Sequence, residues 1–246
     1  MPVKPPAAGM GAARPALVRY VYIDIVEFTR SRSIEAQSDI LACLSQVVAQ
    51  AVSEQVPLSD QVLFLPTGDG LCICLVNLIH PFDLDIQIAL SVLERVHWLN
   101  QDQVDSSRRF ELRIGVNENQ DNLILDIKGG VNVVGLGINM AQRVMSVAGA
   151  SGLFLGPAVY ERLSQRELYR YWLRPVQAIV KHGQRLQCYE YFNPTLACFA
   201  RRGLRTAARP SVERPSAAVI DLPLRGAPSR SRAVRRQPPP SFRIGS

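Results

Sequence analysis

The chain has 246 residues but few of the side chains that build zinc sites. It holds three histidines and five cysteines, an odd number, and none of them follows the closely paired spacing of metal ligands. Cys72 and Cys74 lie two residues apart in an apolar run, so both side chains face the same side of a strand. The pattern therefore favours reduced thiols in the core of a cytoplasmic protein over a zinc site.

Long apolar runs are also missing. No stretch reaches the roughly 18 apolar residues of a membrane-spanning helix. Residues 1–15 are rich in Pro, Ala and Gly and lack the apolar core of a secretory signal, so they are predicted to be a disordered leader. The sequence therefore predicts a soluble protein without a membrane span.

The net charge of +7 comes from one end of the chain. Residues 201–246 contain 11 arginines and two acidic residues, whereas the rest of the chain carries 17 basic and 19 acidic groups. Because this Arg/Pro-rich segment can bury little apolar surface, residues 196–246 are predicted to be a disordered tail. Phe242 is the single aromatic residue of 201–246 and offers little for base stacking, so nucleic-acid binding is only a minor alternative and no nucleic-acid partner is expected.

Residues 16–195 are predicted to form one domain with strands and amphipathic helices in alternation. The predicted strands lie at 17–25, 62–65, 71–76 and 110–116, and the predicted helices at 34–51 and 83–100. The order βαββαβ predicts an α+β fold with a ferredoxin-like core, in which two helices cover one face of an antiparallel sheet. Further elements are expected to extend this core: a strand pair at 123–134, a helix at 138–147 and a hairpin within 169–192.

Two aspartates are predicted to meet at one edge of this sheet. Asp24 ends the first strand, and Asp69 lies between Gly68 and Gly70 in the turn between the second and third strands. In a ferredoxin-like sheet these positions share an edge, although they are 45 residues apart. Paired carboxylates beside a glycine turn suit a hard cation such as Mg²⁺ or Mn²⁺. Taken singly, each aspartate is more typical of a helix cap or a hairpin turn.

Two other groups suit a nucleotide. The backbone N–H groups of residues 25–29, at a strand-to-helix junction, could receive phosphate oxygens. Asn139 and Arg143 are four residues apart, so both project from one face of a helix near its N-terminus. A guanidinium can stabilise charge on a transferring phosphoryl group, and an amide can bond a ribose oxygen. An isolated pair of this kind is more often a solvated helix face.

Four blocks of the sequence resemble, in order and spacing, the signature motifs of class III nucleotidyl cyclases. They are YIDIVEFT at 22–29, TGDG at 67–70, RIGV at 113–116 and INMAQR at 138–143. The resemblance runs over most of the predicted domain. It implies the class III cyclase fold and a head-to-tail homodimer with two composite active sites.

The resemblance also implies which residues bind the metal and the nucleotide. Asp24, Asp69 and the carbonyl of Ile25 would hold two divalent ions, Mn²⁺ or Mg²⁺. The turn that contains Phe28 and Thr29 would bind the nucleotide. The reaction would be attack of the ribose 3′-oxygen on the α-phosphorus, with release of pyrophosphate.

The other half of each composite site would come from the neighbouring protomer. Asn139 would orient the ribose, and Arg143 would stabilise the transition state. Lys181 or His182 lies near the position of the family's triphosphate-contacting lysine. For Lys181, an ordinary hairpin-turn lysine is the competing interpretation.

The base-recognition positions depart from the pattern of the purine cyclases. Where the family commonly has Lys or Glu, this chain has Leu65, and where it commonly has Asp, this chain has Asn132. Loss of that hydrogen-bonding pair argues against ordinary purine selection. Residues 32–40, 65–70 and 137–143 look similar to the bacterial pyrimidine cyclases of the Pycsar antiphage system. That resemblance implies synthesis of cyclic UMP or cyclic CMP from UTP or CTP, as a signal that a separate effector protein reads.

Two alternatives stay open. The chain could be an adenylate or guanylate cyclase with an atypical base pocket, or a catalytically inactive homologue that only binds a nucleotide. The presence of Asp24, Asp69, Asn139 and Arg143 favours an active enzyme.

Overall fold

The computed structural model describes residues 13–57, 59–179 and 185–199. The strands are β1 (Arg14–Ile25), β2 (Val62–Pro66), β3 (Gly70–Val76), β4 (Leu112–Leu125), β5 (Val131–Val134), β6 (Gly152–Leu155), β7 (Leu173–Ile179) and β8 (Arg185–Tyr191). The α-helices are α1 (Ile34–Ser53), α2 (Leu84–Asp102), α3 (Leu136–Val147), α4 (Pro157–Ser164) and α5 (Glu167–Arg170). Short 3₁₀ helices lie at Ser106–Arg108 and Ala197–Phe199.

The strands form one eight-stranded sheet in the order β2-β3-β1-β4-β6-β8-β7, with β5 paired to β4. β1 lies antiparallel to both β3 and β4, whereas β4 lies parallel to β6. From β1 to β4 the elements follow the order βαββαβ. The predicted α+β fold with an extended ferredoxin-like core is therefore confirmed.

Helices cover both faces of the sheet because the side chains of β1 alternate between two apolar clusters. Val21, Ile23 and Ile25 pack with buried residues of α1 and α2 on one face. Tyr20 and Tyr22 pack with buried residues of α3 on the other face. The two-helix layer is thus as predicted, and α3 adds a layer on the opposite face of the sheet.

In the part of the chain that the structure describes, no helix combines the length and apolar composition needed to cross a bilayer.

One strand prediction is wrong in the middle of the chain. Residues 110–116 and the region from Leu123 were expected to form separate strands, whereas β4 runs unbroken across the polar residues 117–122. These polar residues pair with the first half of β1. Asn117 and Asp121 are buried and bonded to α3, so tertiary contacts replace the apolar alternation that usually marks a strand.

The C-terminal part follows the prediction in outline. The hairpin expected within 169–192 is present as β7 and β8, but Tyr169 belongs to α5. Its buried hydroxyl donates a 2.5 Å hydrogen bond to Asp83, just before α2. β6 and α4 come before this helix and were not predicted, because each is short and lacks a long periodic pattern.

The folded part extends slightly beyond the predicted boundaries. Arg14 begins β1 and pairs with the far end of β4, so the end of the predicted leader, 1–15, belongs to the sheet. The 3₁₀ helix Ala197–Phe199 falls within the predicted tail, 196–246, and is anchored by the buried ring of Phe199. The other residues predicted to be leader or tail, 1–12 and 200–246, lie outside the described residues.

The cysteines are free thiols, as the sequence predicts. Cys72, Cys74, Cys188 and Cys198 are buried, and Cys43 is half-buried. Among the residues with described positions, no group of three or more His, Cys, Asp and Glu side chains could hold a metal ion. The described residues therefore offer no zinc-type ligand cluster.

Candidate active site

Asp24 and Asp69 meet at the sheet edge where β1 ends and β2 turns into β3. Asp24 lies opposite Gly70 in the antiparallel pair of β1 and β3, and the N–H of Ile25 donates a 3.3 Å hydrogen bond to the carbonyl of Asp69. A β-carbon at Gly70 would lie 2.1 Å from a backbone oxygen of β1, so the strands approach too closely for any other residue. Gly68 has φ +96°, which also favours glycine. The backbone of this turn therefore brings the two aspartates together.

The charge of Asp24 is set by burial and by two neighbours. The residue is 8% exposed, and the Nε of Arg113 donates a 2.6 Å hydrogen bond to its Oδ2. Burial raises the pKa of the Asp24 carboxyl, the Arg113 guanidinium opposes that shift, and the negative charge of the neighbouring Asp69 carboxyl adds to it. A buried acidic group thus lies beside a half-buried one, and the two negative charges favour a bound proton or cation between them.

The donor atoms at this edge fit a hard divalent cation. Two carboxylates and the backbone carbonyl of Ile25 are oxygen ligands, which Mg²⁺ and Mn²⁺ prefer. In the described parts of the chain no third acidic side chain, histidine or cysteine joins Asp24 and Asp69 in a cluster. A cation here would therefore complete its coordination with water or with the phosphates of a ligand.

Phe28 and Thr29 lie in a turn that Arg32 holds from one side. The Arg32 guanidinium donates to the carbonyls of Glu27 (2.7 Å) and Phe28 (2.9 Å), and also to two carbonyls of the segment 107–109 (3.2 and 2.9 Å). Glu27 has φ +51°, a left-handed conformation that is strained for a residue with a side chain. One side chain therefore fixes the shape of the turn and ties it to the segment that leads into β4.

α3 presents Asn139 and Arg143 on its exposed side. Ala141 and Met145 of the same helix face the sheet, and Gly115 of β4 allows the helix to pack directly on the strand. The Asn139 amide donates a 3.2 Å hydrogen bond to the carbonyl of Gly135 at the helix start. Within one protomer, the two predicted catalytic side chains thus face outward, whereas Asp24 is buried at the sheet edge.

The predicted base-recognition residues lie on β2 and β5. Leu65 is half-buried and packs against the apolar cluster behind the sheet. The Oδ1 of Asn132 accepts a 2.7 Å hydrogen bond from the N–H of Val133, which leaves its amide N–H groups as the donors that can face a ligand. Lys181 and His182, the candidates for triphosphate contact, lie outside the described residues.

Two residues of the site were not assigned roles from the sequence. Arg113 lies in one of the recognised motifs, and the register of β1 and β4 places it opposite Asp24, so a correct strand alignment would have revealed the pair. Arg32 gives no comparable signal, because its four acceptors are backbone carbonyls of two separate segments.

Comparison with known proteins supports this description of the fold. No protein-family model and no curated protein matches the sequence. Among solved structures, the chain is similar to the catalytic core of a rhodopsin-guanylyl cyclase with converted specificity, in complex with ATPαS. The TM-score is 0.58 and the sequence identity is 19%, and the match covers 74% of this chain and 98% of that one.

It is also similar to the guanylate cyclase domain of RhGC from Catenaria anguillulae in complex with GTP, at a TM-score of 0.56 and 18% identity, covering 72% and 96% of the two chains. A third similar structure is the adenylyl cyclase CyaB from P. aeruginosa, at a TM-score of 0.53 and 14% identity, covering 74% and 96%. The chain therefore has the fold of class III nucleotidyl cyclase catalytic domains.

Proposed function

We propose that the protein is a nucleotidyl cyclase, which converts a nucleoside triphosphate to a cyclic nucleotide and pyrophosphate. The observation that carries the proposal is the placement of two acidic groups, Asp24 and Asp69, at one edge of the sheet. This pair belongs to a fold that the chain shares with adenylyl and guanylyl cyclases. The oxygen ligands, the adjacent turn at residues 27–29 and the exposed Asn/Arg pair on α3 are the groups that such a reaction requires.

On this proposal, Asp24, Asp69 and the carbonyl of Ile25 would hold Mn²⁺ or Mg²⁺. A divalent ion bound there would lower the pKa of the ribose 3′-hydroxyl and neutralise charge on the triphosphate. In the described structure, the backbone N–H groups of Phe28 and Thr29 donate no hydrogen bond to a backbone carbonyl. They would bind phosphate oxygens in the turn that Arg32 shapes.

A second copy of the chain would complete the site. Asn139 and Arg143 face outward on α3, where they would orient the ribose and stabilise transition-state charge in the active site of the partner protomer. Support for a homodimer comes from the β4–β5 hairpin, which carries a set of exposed apolar side chains. They are Leu125, Ile127, Val131 and Val134.

For the base, we propose a pyrimidine, with UTP preferred to CTP. Leu65 offers no hydrogen bond, and it occupies the position where purine cyclases commonly carry a charged side chain. The Asn132 oxygen already accepts from the backbone, so this residue presents a donor. At the position where cytosine carries its amino donor, uracil carries a carbonyl acceptor. A donor side chain such as the Asn132 amide therefore complements uracil better.

We further propose that the cyclic nucleotide is an alarm signal in a bacterial antiphage system, made in the cytoplasm and read by a separate effector protein. The support is the resemblance of residues 32–40, 65–70 and 137–143 to the pyrimidine cyclases of the Pycsar system. The Arg/Pro-rich tail has no assigned part in this reaction.

The test is a product assay. Purified protein is incubated with each of the four ribonucleoside triphosphates and Mn²⁺ or Mg²⁺, and the products are identified by mass spectrometry. We expect cyclic UMP, and no product from Asp69→Ala. Asp60→Ala is the matched control, because Asp60 is an exposed aspartate at the other end of β2. Conversion of ATP or GTP alone would overturn the pyrimidine assignment, and the absence of any cyclic product would overturn the cyclase assignment.

A further inference from the structure

Asp121 is a buried carboxylate that lies outside the proposed metal site. It is 5% exposed and lies in the polar stretch of β4. Its Oδ2 accepts hydrogen bonds from the hydroxyl of Tyr20 (2.5 Å) and from the backbone N–H of Gly137 (2.9 Å). Its Oδ1 accepts from the side-chain amide of Asn119 (2.6 Å). The carboxylate is thus fully engaged with protein donors, one of which belongs to α3.

The bond to Gly137 serves as the N-terminal cap of α3. The first N–H groups of a helix have no partner within the helix, and a side chain just before the helix usually accepts from them. Here Gly135 occupies that position and has no side chain to offer. Asp121 supplies the missing acceptor from the neighbouring strand, and its negative charge is favourable at a helix N-terminus.

The fit between the carboxylate and the helix is close. A β-carbon at Gly135 would lie 2.0 Å from Asp121, and one at Gly137 would lie 2.4 Å from it. Asn117, also on β4, donates a 3.1 Å hydrogen bond to the carbonyl of Gly137. Side chains of β4 therefore form hydrogen bonds with both the N–H and the carbonyl of Gly137. Gly137 lies two residues before Asn139.

We propose that Asp121 is a positioning residue for the cyclase reaction. It fixes the first turn of α3 on β4, so that Asn139 and Arg143 are presented correctly to the active site of the partner protomer. The inference rests on the proposed function. It adds a residue to which neither the sequence motifs nor the Asp24–Asp69 pair points.

The first test separates positioning from binding. Asp121→Asn keeps the shape of the side chain but removes its charge. Because the groups that would bind the triphosphate lie on other elements, we expect kcat to fall about 10- to 100-fold while KM changes by less than about threefold. Tyr20→Phe is the matched control, because it removes one donor to the same carboxylate and leaves the bond to Gly137. It should lower Tm but keep kcat within about threefold of the wild type.

The second test uses the composite site. In a head-to-tail dimer, each site takes its metal half from one protomer and α3 from the other. A mixture of Asp121→Asn with Asp69→Ala forms some dimers in which one site has an intact metal half and an intact α3, so activity should return. A mixture of Asp121→Asn with Asn139→Ala has no intact α3, so activity should stay low. Asp69→Ala mixed with Asn139→Ala is the positive control.

The results separate failure of the inference from failure of the proposed function. In the mixing test, the inference is overturned if Asp121→Asn recovers activity with Asn139→Ala instead of with Asp69→Ala. In the kinetic test, it is overturned if Asp121→Asn changes only KM, or if Tyr20→Phe lowers kcat as much as Asp121→Asn does. A wild-type protein that makes no cyclic nucleotide overturns the proposed function itself. If the positive control fails, the composite dimer is wrong and so is the action on the partner's site. The kcat and KM values of Asp121→Asn then decide whether Asp121 positions α3 for the reaction.

A second variant covers the case in which Asp121→Asn does not fold. Asn117→Ala removes the hydrogen bond to the carbonyl of Gly137 and leaves the buried carboxylate of Asp121 in place. We expect a smaller fall in kcat, about 3- to 10-fold, with the same complementation pattern. An unchanged kcat in this variant would overturn the inference.

Discussion

Arg113 and Asp24 lie directly opposite each other on β4 and β1, and the Nε of Arg113 donates a 2.6 Å hydrogen bond to the Oδ2 of Asp24. The guanidinium is the cation that the structure places against the buried carboxyl of Asp24. It therefore balances part of the negative charge of the Asp24–Asp69 pair. The balance is partial, because Asp69 brings a second acidic group to the same edge.

The first prediction concerns this ion pair. Arg113→Gln removes the positive charge and leaves two neighbouring acidic groups, so we expect it to cost about 1–2 kcal/mol of the free energy of unfolding. That cost corresponds to a fall in Tm of about 3–6 °C. Mn²⁺ should then raise the Tm of the variant more than that of the wild type, because a cation replaces the lost charge. Thermal melts with and without Mn²⁺, in the absence of nucleotide, measure both effects.

The control for this prediction is Arg108→Gln. Arg108 is paired with Asp39 and Asp105, which are exposed and far from the Asp24–Asp69 pair in sequence. Exposed ion pairs contribute little, so its Tm should fall by less than about 3 °C and should respond to Mn²⁺ like the wild type. Equal metal responses in all three proteins would contradict a cation site beside Arg113.

The second prediction concerns Arg32 and the turn that it holds. Arg32→Gln loses the forked donor that bonds four carbonyls, so the turn should lose its shape and bind phosphate poorly. We expect the KM for the triphosphate to rise about tenfold or more. Arg32→Lys should behave more like Gln than like the wild type, because a lysine cannot span the same acceptors. Steady-state kinetics of the three proteins measure the effect.

Arg30→Gln is the matched control for Arg32. It removes the same charge from the same turn, but Arg30 is exposed and its guanidinium bonds the Glu27 side chain (2.6 Å). We expect its KM to stay within about twofold of the wild type. A large rise in both variants would mean that the charge of the turn, and not its shape, binds the triphosphate.

The core of the fold could be predicted because its signals are local. β1 and β3 are apolar runs, α1 has a clear helical period, and glycines on both sides of Asp69 mark a tight turn. The βαββαβ order then brings Asp24 and Asp69 to one edge, so the topology predicts their contact from the chain order alone. The placement of the proposed cation ligands depends on little more than these signals.

The polar stretch of β4 could not be predicted in this way. Residues 117–122 contain no apolar side chain and read as a loop, yet Asn117 and Asp121 are buried because they bond to Gly137 of α3. Such burial is decided by a partner about 16–20 residues away, which no local pattern reveals. The same limit applies to Arg32, whose acceptors lie in two segments of the backbone.

The third prediction concerns the packing of α3 on β4. A β-carbon at Gly115 would lie 2.3 Å from the backbone nitrogen of Met145 and 2.5 Å from the carbonyl oxygen of Ala141. Gly115→Ala should therefore push α3 away from the sheet and cost about 1–3 kcal/mol of the free energy of unfolding. The helix that carries Asn139 would move, so kcat should fall as well. Denaturant unfolding and a product assay measure the two effects.

Gly149→Ala is the matched control, since a β-carbon there would meet no atom within 4 Å. We expect its free energy of unfolding to stay within about 0.5 kcal/mol of the wild type, with normal activity. If both glycine variants were equally stable and active, the close packing of α3 on β4 would be wrong.

The fourth prediction concerns the reactivity of the thiols. Burial, with a smaller effect from the Glu190 carboxylate, raises the pKa of Cys188 to about 11. At pH 8 this thiol is therefore protonated and unreactive, and it gains reactivity only as the pH rises toward 11 or as the protein unfolds. A disulfide reagent should modify half-buried Cys43 first in the native protein, and all five cysteines after denaturation.

Cys43→Ser is the control for the thiol assay, because it should remove the first phase of the reaction and leave the slower phases unchanged. Peptide mass spectrometry of the modified protein identifies the site. Rapid modification of Cys188 in the native protein at pH 8 would show that β8 opens more readily than its buried position indicates.

The last prediction concerns the exposed apolar hairpin and the proposed dimer. Ile127 is fully exposed at the tip of the β4–β5 hairpin, so a charge there costs nothing in a lone protomer but would be buried in a dimer interface. We therefore expect Ile127→Glu to raise the Kd of the dimer at least about tenfold without changing Tm at low protein concentration. Activity should fall with it and should return at high protein concentration, because in the proposed dimer Asn139 and Arg143 would act across the interface. Val104→Glu is the matched control: Val104 is 92% exposed after α2, away from this hairpin. Sedimentation velocity and activity at several protein concentrations measure both variants. An Ile127→Glu protein that stays dimeric and fully active would place the interface on another surface.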